Sequence, residues 1–166
     1  MKNIILSIAL FALPFIAFSQ MEKGSMMAGA NYYFGLDPEL QTLDNDRMVT
    51  YFRLDYAYFI SNNITVGGTL VSSYKNFTAL PVFGFGPMAR FYFFNNWVRP
   101  FIEPRSGLFI VDSVPHANVG ATIGSSFLVS KNIALEVGIN DDFFVAFFDI
   151  TNVLGLSAGL QVHFRK

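Results

Sequence analysis

Leu156-Ser157-Ala158-Gly159-Leu160-Gln161-Val162-His163-Phe164 alternates without a break. Apolar side chains take the even positions; small or polar ones take the odd positions. Successive side chains of an extended strand point to opposite sides, so a period of two marks a strand with two unlike faces. The odd face is the informative one. It holds serine, glycine, glutamine and histidine, and nothing bulky and apolar.

Ile133-Ala134-Leu135-Glu136-Val137-Gly138-Ile139-Asn140 repeats the pattern upstream, with four aliphatics set against Glu136, Gly138 and Asn140. Working outward, eight such segments emerge, near 25–35, 47–59, 64–75, 82–94, 98–110, 118–129, 133–143 and 151–164. In the first, Met26, Ala28, Ala30, Tyr32 and Phe34 alternate with Gly29, Asn31 and Gly35. In the second, Phe52, Leu54, Tyr56 and Tyr58 alternate with Arg53, Asp55 and Ala57. Phe83, Phe85, Phe91 and Phe93 face away from Gly84, Gly86 and Arg90. Ile102 and Leu108 face away from Glu103, Arg105 and Gly107. The aromatic face of these segments carries no charge. Eleven of the 13 glycines fall on the other face, Gly24 and Gly68 being the exceptions.

That distribution decides between two barrels. A soluble barrel turns its bulky apolar face inward, which would leave glycine on an outer surface where it weakens strands without a packing gain. A membrane barrel turns the apolar face to lipid and lines a narrow interior with small and polar groups. With the phase reversed, Arg53, Arg90 and Arg105 would each cost about 2–4 kcal/mol against mid-bilayer lipid. Closure also pairs every backbone N–H and C=O, which lipid cannot do. The expected fold is therefore all-β: a closed, antiparallel, up-and-down transmembrane β-barrel of about eight strands.

The turns agree. Ser61-Asn62-Asn63, Asn95-Asn96 and Ser130-Lys131-Asn132 are short and turn-prone. Hairpins centred there set Asp55 across from Thr69, Arg90 across from Glu103, and Glu136 across from Ser126. Longer connections are expected at 36–46, 76–81, 111–117 and 144–150, on the side opposite the termini. Pro100 is expected to begin its strand. Pro87 and Pro104 lack an N–H and are expected to mark bulges or a broken ladder.

The N-terminus reads as an export signal. Lys2 precedes an apolar run from Ile4 to Phe18, too short for a membrane span, and Pro14 interrupts it. Ala17-Phe18-Ser19 places small residues where a signal peptidase needs them. Residues 1–19 are the expected signal peptide, and 20–166 the expected barrel domain. Charged residues are only 14% of the chain and hydrophobic ones 52%, which argues against disorder. The net charge of −1 argues against nucleic acid as a partner. The absence of cysteine removes disulfides, cysteine zinc sites and a lipoprotein anchor.

Signal peptide, eight alternating strands and glycine-rich interior together resemble the small outer-membrane barrels of the OmpA/OmpX/OmpW-like type. Tyr58-Phe59-Ile60-Ser61-Asn62-Asn63-Ile64, Arg99-Pro100-Phe101-Ile102-Glu103 and Asn132-Ile133-Ala134-Leu135-Glu136-Val137-Gly138 look like hairpin phrases of that group. The resemblance implies residence in the outer membrane of a Gram-negative cell envelope, contact with its lipids, and insertion by the barrel-assembly machinery. It also implies a C-terminal insertion signal, carried here by Leu160, Val162 and Phe164. The chain departs from the usual terminal aromatic, since Arg165 and Lys166 follow Phe164.

Several groups are candidates for chemistry. Arg53, Asp55, Arg90, Glu103, Arg105 and Glu136 share the inner face, where opposite charges need each other. A structural ion-pair network that plugs the barrel is the expectation; a gated polar pathway is the alternative. Asp112, Ser113 and His116 hold hydrolase residue types in one expected loop, without the rigid scaffold a triad needs. Asp141, Asp142 and Asp149 match no metal-ligand spacing. Phe143, Phe144, Phe147 and Phe148 are expected to extend the last strands or rest at the outer interface; contact with a hydrophobic ligand or an extracellular partner is the alternative. Tyr56, Tyr58, Tyr74 and Trp97 are expected in an interfacial girdle. No cofactor or metal is expected, and a closed barrel is expected to be monomeric. The function expected is non-enzymatic and structural, adhesive or stress-related. A porin-like carrier or channel for a small hydrophobic molecule, and a lipid-modifying enzyme, are the alternatives.

Overall fold

The computed structural model describes residues 22–36, 48–75, 82–94, 96–111, 114–146 and 149–164. The expected signal peptide lies outside them. Eight strands follow in chain order: β1 (Met26–Leu36), β2 (Met48–Ser61), β3 (Ile64–Lys75), β4 (Val82–Tyr92), β5 (Val98–Val111), β6 (Val114–Leu128), β7 (Ile133–Ala146) and β8 (Asp149–Phe164). Each pairs antiparallel with its sequence neighbours, and β8 returns to β1, so the sheet closes as an up-and-down barrel. Met26 pairs with Phe164, which puts both ends of the sheet at one rim, with the three short turns.

The register fixes how the lumen is filled. From Asn31, pairing leads through Arg53, Val71 and Gly84 to Phe109 on β5. In the other direction it leads through Gly159, Glu136 and Ser126 to Arg99 on the same strand. The sheet thus closes with a stagger of ten residues on β5, which tilts the strands. Tilt brings residues of strands that are not neighbours to the same height.

Large and small side chains interlock on the inner face. A methyl group on Gly84 would stand 2.6 Å from the ring of its register partner Phe109, and one on Gly124 2.7 Å from that of Phe101. These two glycines make room for a ring on the next strand, while Gly120 and Gly159 make room for the side chains of Asp142 and Asn31. Outward, the wall is apolar: Leu70, Phe85, Ile123, Leu156 and Leu160 are each more than 40% exposed. Such a belt suits lipid and not water.

Two expectations are corrected, and the broken ladder expected at Pro87 and Pro104 is found. The connections expected at 111–117 and 144–150 shrink to two residues each, because β6 begins at Val114 and β7 and β8 run to Ala146 and from Asp149. Polarity along the chain shows where the apolar belt ends; the ladder continues wherever each N–H still finds a carbonyl. Pro100 is the third residue of β5 and not its first. Pairing of β4 with β5 is broken at Gly86-Pro87 and at Ala89-Arg90, with the same register on either side, so the prolines interrupt the ladder without a slip. The one register shift among the described ladders is in β2, between Phe59 and Ser61.

Candidate functional site

The middle of the lumen holds a layer of ionised side chains. Arg53 and Asp55 come from β2, Arg90 from β4, Glu103 and Arg105 from β5, and Glu136 and Asp142 from β7. Their inward phase follows from the two-residue repeat. Their convergence follows from the stagger, which lifts β5 against β2. Glu103, fully buried, is the hub. Its Oε1 lies 2.8 Å from Arg53 Nη1 and 3.6 Å from Arg105 Nη1. Its Oε2 accepts from Arg90 Nε at 2.7 Å and also from Arg90 Nη2. The Arg53–Glu103 contact is coulombic, since neither atom forms an aligned hydrogen bond.

The other charges complete the set. Arg53 Nε reaches Asp55 Oδ1 at 2.8 Å, and Asn31 Nδ2 donates to Asp55 Oδ2 at 2.9 Å. Arg90 Nη1 donates to Glu136. Arg105 clasps Asp142 with Nε at 3.1 Å and Nη2 at 2.6 Å, and Tyr51 donates to the same carboxylate at 2.7 Å. Four carboxylates face three guanidinium groups, in a medium where each pair is strong and each unpaired charge is costly.

Aromatic layers bracket these charges. Toward the rim opposite the termini, Tyr33, Tyr51, Val71 and Phe109 form one buried cluster, with Phe144 against it. Tyr33 stacks on Tyr51 at 4.6 Å, and Arg53 lies 4.7 Å above the Tyr33 ring. Toward the termini, Phe59, Tyr92, Phe101, Met27 and Met88 belong to a second cluster, and Arg90 lies 4.2 Å above Phe101. A lumen cavity bounded by Tyr51, Arg53, Arg105 and Asp142 amounts to about 10 Å³, no more than one water needs. Among the described residues, the side chains of this layer fill the lumen around Arg53 and Arg105.

All six charges of the predicted inner set are buried in this layer. Asp142 was missed as their partner. Its phase is legible, since Glu136, Gly138, Asn140 and Asp142 alternate along the 133–143 segment, but beside Asp141 and Asp149 it reads as part of a carboxylate cluster and not as a lumen charge. Asp141 faces outward, where it accepts from Asn152 Nδ2 at 3.0 Å. The outer face is therefore not free of charge, and the two aspartates point to opposite sides. The inner aromatics were also missed, because only the richer aromatic face had been followed. His116 stands in β6 opposite Phe109 and not in a loop, while Asp112 and Ser113 lie outside the described residues. Phe143 is exposed on the outer face of β7 and Phe144 packs inward; Phe147 and Phe148 lie outside the described residues. Leu160 and Phe164 are exposed on the outer wall, with Val162 half-buried between them. Tyr56, Tyr58 and Trp97 are exposed, and the side chain of Tyr74 lies outside the described set.

Neisserial surface protein A superposes with a TM-score of 0.61 at 17% identity, over 83% of this chain and 95% of that one. The N-terminal β-barrel domain of Pseudomonas aeruginosa OprF gives 0.55 at 14%, over 84% and 98%. The fold is that of the small eight-stranded outer-membrane barrels. The outer membrane enzyme PagL shares it as well, at a TM-score of 0.52 and 14% identity over 79% and 97%. No family model and no curated protein matches the sequence. A barrel of this type can act through its lumen, its rim or its wall. Here the wall has a feature of its own. Gly68, Pro87 and Ser106 stand in line across β3, β4 and β5 and floor a hollow of about 900 Å³, walled by Tyr56, Leu70, Phe85, Leu108 and Val119.

Proposed function

We propose that this chain is an integral outer-membrane protein whose lumen is a structural plug, and whose task is structural, adhesive or stress-related and performed at its wall and outer rim. The observation that carries this reading is the filled interior: seven charges paired with one another between two aromatic clusters, leaving about 10 Å³ of lumen cavity beside Arg53 and Arg105. The apolar outer belt and the shared fold support the outer membrane as its place. The test is conductance of the refolded barrel in planar bilayers. The expected record is flat at voltages where an open porin gives steps. Steady unit steps from heat-modifiable, correctly folded protein would sink the plug.

One observation favours a second reading. The hollow over Gly68, Pro87 and Ser106 has the volume of a ligand pocket and an apolar lining. A small hydrophobic molecule held against the wall would occupy it. Displacement of a fluorescent fatty acid from the micellar barrel measures this, and a Gly68→Phe variant should lose the effect. No saturable displacement removes the second reading. Catalysis finds less support, since the fold is common to PagL and to barrels of other kinds. Unchanged lipid A and phospholipid mass spectra on deletion and overexpression are the expected result.

A further inference from the structure

Arg99 enters the lumen near the terminal rim, as the second residue of β5. It is 1% exposed by surface area, but lies at the rim and is less deeply surrounded than Arg90 in mid-barrel. Its Nε donates to the carbonyl of Asn96 at 3.1 Å, and its Nη1 has no hydrogen-bond partner. Among the described residues it forms no ion pair. A buried guanidinium without a counter-charge is strongly unfavourable.

Other polar groups around it are also left over. Ser126 is the register partner of Arg99 on β6, fully buried, with a hydroxyl bonded to nothing. His163 on β8 is 2% exposed, and neither ring nitrogen has a partner. Arg99 is close enough to His163 to act on it electrostatically. Gln161 lies two residues before His163 on the same face; its Oε1 is within 3.4 Å of Tyr92 Oη, but its Nε2 is bonded to nothing. Phe59, 5.8 Å from the His163 ring, helps to enclose the group.

Buried polar groups in folded proteins nearly always have a partner, supplied by protein, water or an ion. Among the described residues the positive charge of Arg99 meets no carboxylate, and Arg99 Nη1 and Gln161 Nε2 are donors without an acceptor. Glu136, across from Ser126, is already engaged by Arg90. A water molecule could accept from Arg99 and donate to Ser126 or to a neutral imidazole, but it brings no charge. An oxyanion brings acceptors and the missing negative charge together.

We propose that Arg99 and its register partner Ser126 form a binding site for a small oxyanion, a carboxylate or phosphate group, at the terminal mouth of the barrel. The site does not depend on the reading of the wall or the rim. The guanidinium supplies the charge and two donors, and the serine hydroxyl a third.

Inorganic phosphate is the first probe and acetate the second. Each is added to the refolded barrel in nonionic micelles at ionic strength matched with sodium chloride. Unfolding is followed by heat-shifted gel mobility. At ten times its dissociation constant the anion should raise the folded-to-unfolded ratio about tenfold. Arg99→Gln should abolish the rise and Ser126→Ala should reduce it. A response to phosphate alone assigns a phosphate group; an equal response to acetate assigns a carboxylate. No response in the unsubstituted protein, or an equal one in Arg99→Gln, would overturn the site and leave water in its place. Should Arg99→Gln fail to fold, the guanidinium 15N resonances of Arg99 in the unsubstituted protein decide. They should move saturably with phosphate, and resonances that stay still through the titration refute the proposal.

Discussion

Arg90 and Arg99 leave adjacent strands, point into the same lumen and expose almost no surface. Arg90 meets Glu103 and Glu136 directly and has Asp55 at 3.9 Å. Arg99 has one backbone carbonyl. The difference lies in height along the barrel. In the middle, the stagger brings carboxylates from β2, β5 and β7 to one level. Near the terminal rim Arg99 has Ser126 as its register partner, with Gln161 and His163 on β8. The charges of the middle layer meet opposite charges, though Arg53 Nη1, Asp55 Oδ1 and Glu103 Oε1 form no aligned hydrogen bond; among the described residues the guanidinium at the mouth meets none.

The comparison breaks most visibly at Glu103. Glu103→Ala leaves Arg53 and Arg90 without their shared acceptor and should cost about 3–5 kcal/mol, read as a lower urea midpoint for the refolded barrel. Arg99→Met removes a cation that has no carboxylate partner. In anion-free buffer it should leave that midpoint unchanged or raise it. A loss as large as that of Glu103→Ala would erase the distinction between the two regions.

Leu156, 61% exposed on β8, tests the outer face against both. Leu156→Arg should cost about 2–4 kcal/mol when folding is measured into lipid vesicles. An equal loss in micelles, where the side chain reaches water, would show that the cost is not one of lipid contact. Gly124→Val probes the seam between the layers at smaller scale. Its Cβ would stand 2.5 Å from the Val137 carbonyl oxygen and 2.7 Å from the Phe101 ring beneath Arg90, at about 1–3 kcal/mol, of which Phe101→Leu can relieve only the ring's share. Gly124→Val combined with Phe101→Leu should recover part of that loss, and failure to recover would place the strain elsewhere.

How much of this was legible beforehand depended on periodicity. The repeat in 133–140 and 151–164 is unbroken, so strand phase, barrel closure and the inward direction of Glu136 could be read directly. Where the repeat blurs, near Phe143–Phe148, the strand ends could not. The inner rings of Tyr33, Tyr51 and Phe109 were hidden for another reason. Each lies beside strong outward apolar residues, Tyr32 and Phe34, Phe52, or Leu108 and Ile110, and each fits inward against a small register partner: Ser157, Ser73 or Gly84.

The amino-acid sequence by itself determined the strand count, the phase of each strand and the identity of six inner charges, because a period of two and the cost of charge in lipid are local rules. Only the closed structure decided which charges meet. Arg53 and Glu103 are fifty residues apart and on strands that do not touch, and they are joined by the stagger of the whole sheet. The same stagger leaves Arg99 without a carboxylate among the described residues, since pairing height in a barrel is a property of all eight strands together.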